Sequence, residues 1–357
     1  MRGVNRFLEE MQEATDWIEK GRNSQLHLGT LYFIDQISTH LIGENVCVSP
    51  IPDGGYGYSA FSWPFKHILE EYGVSDPTAG QHPTVVSYLP YEQDSTLLNA
   101  LFAHEIAHST VEEEDLVDSV LTAKTSDFDG AFDKLAAELA AENQAPLSKA
   151  EEKLRDRVDS WVTELLCDSL ATYYLGPSYL FSIAPTVIAT GLDDFSDTHP
   201  PTAIRVKHIL DALVNAGWRT PLEARIPTVM KWLDSVASVT PSAVNGIENL
   251  CLETCDLFQA QIERIAADRL TGAVFEAGDF NEQVDEMMDF FDQRILPAQM
   301  RDRSAADRRS ILLGGWLFNL KEDQVEDIAT AIEDAEFQGF LAAALEMSFV
   351  LEAWNSR

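Results

Sequence analysis

One run in this chain is the best candidate for a β-strand. After His82-Pro83, Thr84-Val85-Val86-Ser87-Tyr88-Leu89 is β-branched and aromatic, and Pro90 closes it. Elsewhere the apolar residues recur at helical spacing. Phe7, Met11, Thr15 and Ile18 do so, as do Leu28, Leu31, Phe33, Ile34, Ile37 and Leu41. Leu97 to about Val120 reads as one helix and Phe128 to Asn143 as another. A third begins at Ser148, which forms a capping box with Glu151, and runs to Tyr174, where Gly176-Pro177 stops it. Pro200-Pro201 opens a further helix that ends near Gly217. Beyond Pro221 the pattern is helical, with breaks expected at Pro241, residues 272–278, Pro297 and Gly314-Gly315. The pattern predicts an α+β fold that is predominantly helical with a small β-sheet. Ser49 to Pro64, which holds Asp53-Gly54-Gly55-Tyr56-Gly57-Tyr58, reads as a surface loop; it lacks the spacing and the Lys of a phosphate-binding loop.

Composition narrows the partners. The 59 acidic residues outnumber the 25 basic ones, for a formal charge of -34. Nucleic-acid binding needs a basic surface that displaces counterions, and anionic lipid headgroups need the same. Both are excluded as partners. The 45% hydrophobic fraction, seven Trp and 18 Phe suffice for a core, so disorder is excluded too. Four cysteines, Cys47, Cys167, Cys251 and Cys255, are sparse and unevenly spaced, which predicts buried thiols in a reducing compartment. Met1 to Phe7 runs into the acidic pair Glu9 and Glu10, with no apolar segment of a secretory signal. The apolar run Tyr179 to Thr190 is too short to span a bilayer, and Phe340 to Trp354 is interrupted by Glu346 and Glu352. A cytoplasmic protein without membrane insertion is expected.

The residues that carry chemistry lie just past the strand. His104-Glu105-Ile106-Ala107-His108 places two imidazoles at i and i+4, on one face of a helix, where both reach a single metal ion. Glu105 follows the first His by one residue, so its carboxylate approaches a water beside the ion without being a ligand. The bland alternative is that both His cap or pair with acids in a helical core. Zinc needs a third protein ligand. Glu164 and Asp168, at i and i+4 among Trp161, Leu165, Leu166 and Leu170, are costly on an apolar helix face unless something cationic receives them. The natural division is Glu164 on the metal and Asp168 behind it, accepting a ring N–H from a ligating His; pairing with Arg155 and Arg157 is the alternative. His199, just ahead of the Pro200-Pro201 helix, and Arg205 on that helix are candidate donors to a developing oxyanion. His27, His40, His67, His82 and His208 have no ligand-spaced partner, so they read as surface or satisfied core histidines.

His104-Glu105-x-x-His108, then Glu164-x-x-x-Asp168-x-x-Ala171, then His199-Pro200-Pro201 and Arg205 resembles the gluzincin zinc metallopeptidases, most closely the M48 (Ste24/HtpX-like) peptidase group. The resemblance covers residues 83 to 215. It implies a zincin-like metallopeptidase domain with Zn2+ as cofactor and a protein or peptide as substrate. His104, His108 and Glu164 would bind zinc and Glu105 would be the general base. Asp168 would orient a ligand, with His199 and Arg205 assisting near the oxyanion. Two departures stand out: many relatives are membrane-embedded, and Cys167 occupies a place where a small residue is usual. The strand at Val85 to Tyr88 is a candidate for holding an extended peptide by β-augmentation.

Three regions follow. Residues 1–82 hold N-terminal helices and the Gly-rich loop, 83–221 the candidate zinc metallopeptidase core, and 222–357 a helical C-terminal region that offers a surface for a regulatory partner. The competing function is a non-proteolytic helical interaction or regulatory protein with a structural or latent zinc site.

Overall fold

The computed structural model describes residues 12, 15–16, 19–21, 25–43, 46–53, 59–62, 82–122, 126–189, 191–192, 194–243, 245–302 and 304–355. Phe7, Met11 and Ile18 of the first expected helix, and Gly54 to Tyr58 of the expected loop, lie outside them. In chain order come α1 (Leu28–Leu41), β1 (Val46–Pro52), β2 (Ser59–Ser62), β3 (His82–Tyr88), α2 (Leu101–Glu113), α3 (Leu116–Leu121), α4 (Ser126–Glu142), α5 (Leu147–Leu175) and α6 (Pro177–Ala189). Then follow α7 (Thr202–Asn215), α8 (Arg219–Arg225), α9 (Pro227–Ala237), α10 (Gly246–Arg269), α11 (Ala277–Asp292), α12 (Arg308–Asn319), α13 (Asp327–Ala331) and α14 (Ala335–Asn355). Among the described residues the fold is predominantly helical with one small sheet, as the residue pattern predicts. No described helix is long and apolar enough to cross a membrane.

The chain divides into two compact units, one of residues 1–109, 279–322 and 326–357 and the other of 110–278 and 323–325. In the first, the expected strand is β3, and it is central. β1 pairs with it in parallel and β2 antiparallel, in the order β1-β3-β2. Two expectations change. Parts of the stretch that reads as loop, up to Pro52 and from Ser59 to Ser62, are strands; Pro50 and Pro52 mask β1, and proline is tolerated there because β1 is an edge. β3 offers a peptide no free edge, since both of its sides are already hydrogen-bonded to neighbours.

In the same unit α14 lies against α1. Gly29 allows this approach, because a Cβ there would stand 2.1 Å from the Ala342 carbonyl oxygen. Tyr32 stacks on Phe349 at 3.9 Å. Buried Gln338 meets its hydrogen-bonding needs by accepting from Leu97 N and donating to the Ala331 carbonyl. Gly314-Gly315 is not a break but the middle of α12. Added Cβ atoms would lie 2.7 Å from Met287 and 3.1 Å from Leu341, so the glycines serve close helix packing.

The second unit is built on α5. Its N-terminal half buries one face through Ala150, Leu154 and Val158, at i, i+4 and i+8. From Glu164 to Leu175 every residue is buried, because α5 is surrounded there. The helix starts at Leu147 with Pro146 before it, so Ser148 lies inside the first turn and is not the cap that the Ser148/Glu151 pattern suggests. The long helix expected from Leu97 is likewise interrupted. A 3-10 turn covers Thr96–Ala100, and Asp115, in the left-handed region at φ 50°, separates α2 from α3.

One capping contact gives a test of stability. The N-terminus of α9 has no cap from its own flank; instead the Asp323 carboxylate accepts from Thr228 N and Val229 N at 2.9 and 3.1 Å. Burial alone would raise its pKa, but these hydrogen bonds and Lys231 hold it below the ordinary value of 3.8. A depressed carboxyl contributes stability above the unfolded pKa and loses it as pH falls through the folded one. Asp323→Ala is therefore expected to cost about 1 kcal/mol near neutral pH. In denaturation experiments the gap from wild type should close below the ordinary carboxyl pKa, and a pH-independent gap would contradict the assignment.

Candidate metal centre

α2 carries the two imidazoles because Phe102, Ala103, Ile106 and Ala107 bury the helix on its other sides. His104 is buried and His108 half-buried, with ring centroids 5.0 Å apart and nearly perpendicular. Glu105, half-buried, lies between them in sequence. On α5, Glu164 is 5% exposed. The ligand atoms of His104, His108 and Glu164 all lie within 4.8 Å of one another. This group can hold a metal ion. Two imidazoles and one carboxylate form the donor set of open zinc sites with bond lengths of about 2.0–2.2 Å, so the residues present fit the ion after small side-chain rotations.

An imidazole and a guanidinium stand beside Glu164. His199 Nε2 stands 3.5 Å from Oε1 and Arg205 Nη2 3.7 Å from Oε2. His199 is half-exposed, and its Nδ1 meets Thr198 Oγ1 at 2.7 Å. Asp168 is fully buried one turn beyond Glu164. It accepts from Arg205 Nε at 2.8 Å and Nη2 at 2.7 Å, and from the Tyr179 hydroxyl at 2.5 Å. Burial works against the Arg205 charge, yet Asp168 beside it holds its pKa well above the usual arginine range. Burial first, and then the Asp168 charge, push the Tyr179 phenol well up.

All seven candidate residues are thus in described positions: His104, His108 and Glu164 form one group, and Asp168, His199 and Arg205 cluster around Glu164. Tyr179 is the participant that sequence reasoning misses. It opens the apolar run 179–190, where a phenol on a buried helix signals a polar partner. His208 is a satisfied core residue, its Nε2 2.6 Å from Ser169 Oγ and 3.1 Å from the Leu165 carbonyl, and burial lowers its pKa. Cys251 and Cys255 are buried free thiols; burial pushes Cys251 up to about 12 and Cys255 higher still. Tyr174 is buried in packing.

Metal analysis tests the ligand set. After loading with a divalent metal and dialysis, His104→Ala and Glu164→Ala are expected to retain less of it than wild type. Wild-type metal content in Glu164→Ala would remove Glu164 from the set.

No family model, curated protein or solved structure matches this chain.

Proposed function

We propose that the chain is a zinc-dependent endopeptidase. The observation that carries this reading is the convergence of His104, His108 and Glu164 within 4.8 Å, with Glu105 on the same helix as the two imidazoles. The resemblance to gluzincin peptidases rests on the same residues and supports it.

A zinc ion held there supplies Lewis-acid polarisation of a peptide carbonyl and of a water. The remaining work belongs to the chain. Glu105 is a half-buried carboxylate on the helix that carries both imidazoles and is not needed as a ligand, so it accepts the proton of the attacking water and returns it to the leaving amine. His199, half-exposed beside Glu164, is the donor for the developing oxyanion. Arg205 spends Nε and Nη2 on Asp168, so in this reading it acts through its charge rather than as a direct donor. Burial of His104 and Glu164 keeps bulk water from competing for the ion.

The test is cleavage of an unfolded protein and of a peptide library by the zinc-loaded protein and by protein stripped with a chelator. Cleavage that follows metal content supports the proposal. A zinc-loaded protein inert across the whole library would sink it, leaving a metal site without proteolysis.

A further inference from the structure

Glu164 must keep its carboxylate available if it is a metal ligand, yet it sits beside a rival. In a poorly hydrated place a guanidinium is the strongest side-chain partner for a carboxylate, because its planar fork matches both oxygens. Arg205 Nη2 is 3.7 Å from Glu164 Oε2, beyond hydrogen-bonding range but within the reach of a small rotation. What holds it back is visible. The Nε–Nη2 edge of Arg205 is paired bidentately with Asp168, at 2.8 and 2.7 Å. Asp168 is 0% exposed and is fixed in turn by the Tyr179 hydroxyl at 2.5 Å. That hydroxyl also stands 3.4 Å from Arg205 Nη2, closing a three-membered cluster on α5, α6 and α7.

We propose that Asp168 and Tyr179 form a clamp that retains Arg205 and so prevents it from capturing Glu164, leaving that carboxylate to the metal. Both are positioning residues for the third ligand. This inference rests on the metal site proposed above. It differs from the role the sequence suggests for Asp168, in which the carboxylate orients a ligating histidine. The charges agree with it: one guanidinium serves two buried carboxylates, and the negative charge left over is what a divalent cation balances. When Asp168 loses its charge, Glu164 becomes the strongest remaining partner for Arg205.

The experiment measures zinc affinity by competition with a chromophoric chelator, so it reads metal binding and not peptide cleavage. Asp168→Asn is expected to weaken zinc binding by about 10- to 100-fold, the range for loss of a supporting contact. Adding Arg205→Met should restore it to about the affinity of Arg205→Met alone, since the rival is gone. Tyr179→Phe should weaken binding by less, and this loss should vanish in the Arg205→Met background. Removing an unpaired buried guanidinium can also restore a destabilised fold, so the denaturation midpoint of each metal-free variant is measured beside its zinc affinity. Zinc losses and rescues that only follow the midpoint assign Asp168 a structural role and overturn the clamp. Equal zinc affinity in wild type and Asp168→Asn overturns the clamp. So does an Asp168→Asn defect that persists in the double variant, which would return Asp168 to orienting a histidine. If Asp168→Asn does not fold, the Tyr179→Phe comparison with and without Arg205→Met decides by the same criterion. Rescue as expected in a protein that cleaves no peptide would leave the clamp standing and end the peptidase reading. A wild type that binds no zinc ends both.

Discussion

Glu105→Gln is expected to lower kcat/KM for peptide hydrolysis by about 10²- to 10⁴-fold while zinc content stays at the wild-type level. The two readouts separate because Glu105 is not in the group of three. His104, His108 and Glu164 supply the donor atoms within 4.8 Å, and the amide of Gln leaves all three in place. Gln has nearly the same shape as Glu and still hydrogen-bonds, but it cannot take the proton of an attacking water. The loss should therefore fall on kcat more than on KM, as for a group that acts in the transition state. His104→Ala is expected to differ in kind, losing metal and activity together. A Glu105→Gln protein that keeps its zinc and cleaves as fast as wild type would assign the general base elsewhere.

How far the chain's chemistry could be read from its residues depended on whether the signal was local. His104 and His108 are one helical turn apart, so the spacing alone implied a shared face, and α2 has that form. Glu164 and Asp168 stood out because carboxylates are rare in an apolar helical run, and both proved buried. Tyr179 gave no comparable signal. Its importance comes from Asp168, eleven residues earlier on another helix, and such pairing needs the turn at Gly176 to be known. The sheet was half legible for a similar reason. β3 has strand composition, whereas β1 contains two prolines that read as breakers until its edge position is known. Gly314-Gly315 misled in the opposite direction. Paired glycines usually end a helix, but here the missing side chains make room for Met287 and Leu341.

The largest effect on stability is expected at Trp218. Its side chain is 0% exposed, stacks on Phe275 with ring centroids 5.1 Å apart, and donates from Nε1 to the Phe275 carbonyl at 2.6 Å. Phe275 N in turn donates to the Tyr173 carbonyl in the last turn of α5. Gly176 completes the arrangement. It takes φ 60°, and an added Cβ would lie 2.7 Å from the Phe275 ring and 3.2 Å from Trp218 Nε1. Trp218→Ala removes the ring that fills this space and leaves a buried carbonyl without its donor. A cost of about 3–5 kcal/mol follows from the lost packing. Trp218→Phe keeps most of the apolar volume but not the N–H, so a smaller loss of about 1–3 kcal/mol is expected. Denaturant midpoints measured by near-ultraviolet circular dichroism would order the three proteins, and a Trp218→Ala protein within about 0.5 kcal/mol of wild type would contradict the packing argument. The same variant links stability to the metal centre, because the α5 segment it anchors also carries Glu164 and Asp168. A ligand that binds only the folded state adds about 2.7 kcal/mol at 100 times its Kd. Zinc at that level should therefore recover much of the Trp218→Ala loss. It should recover none of it when His104→Ala is added, and equal recovery in both would mean that the stabilising ion binds elsewhere.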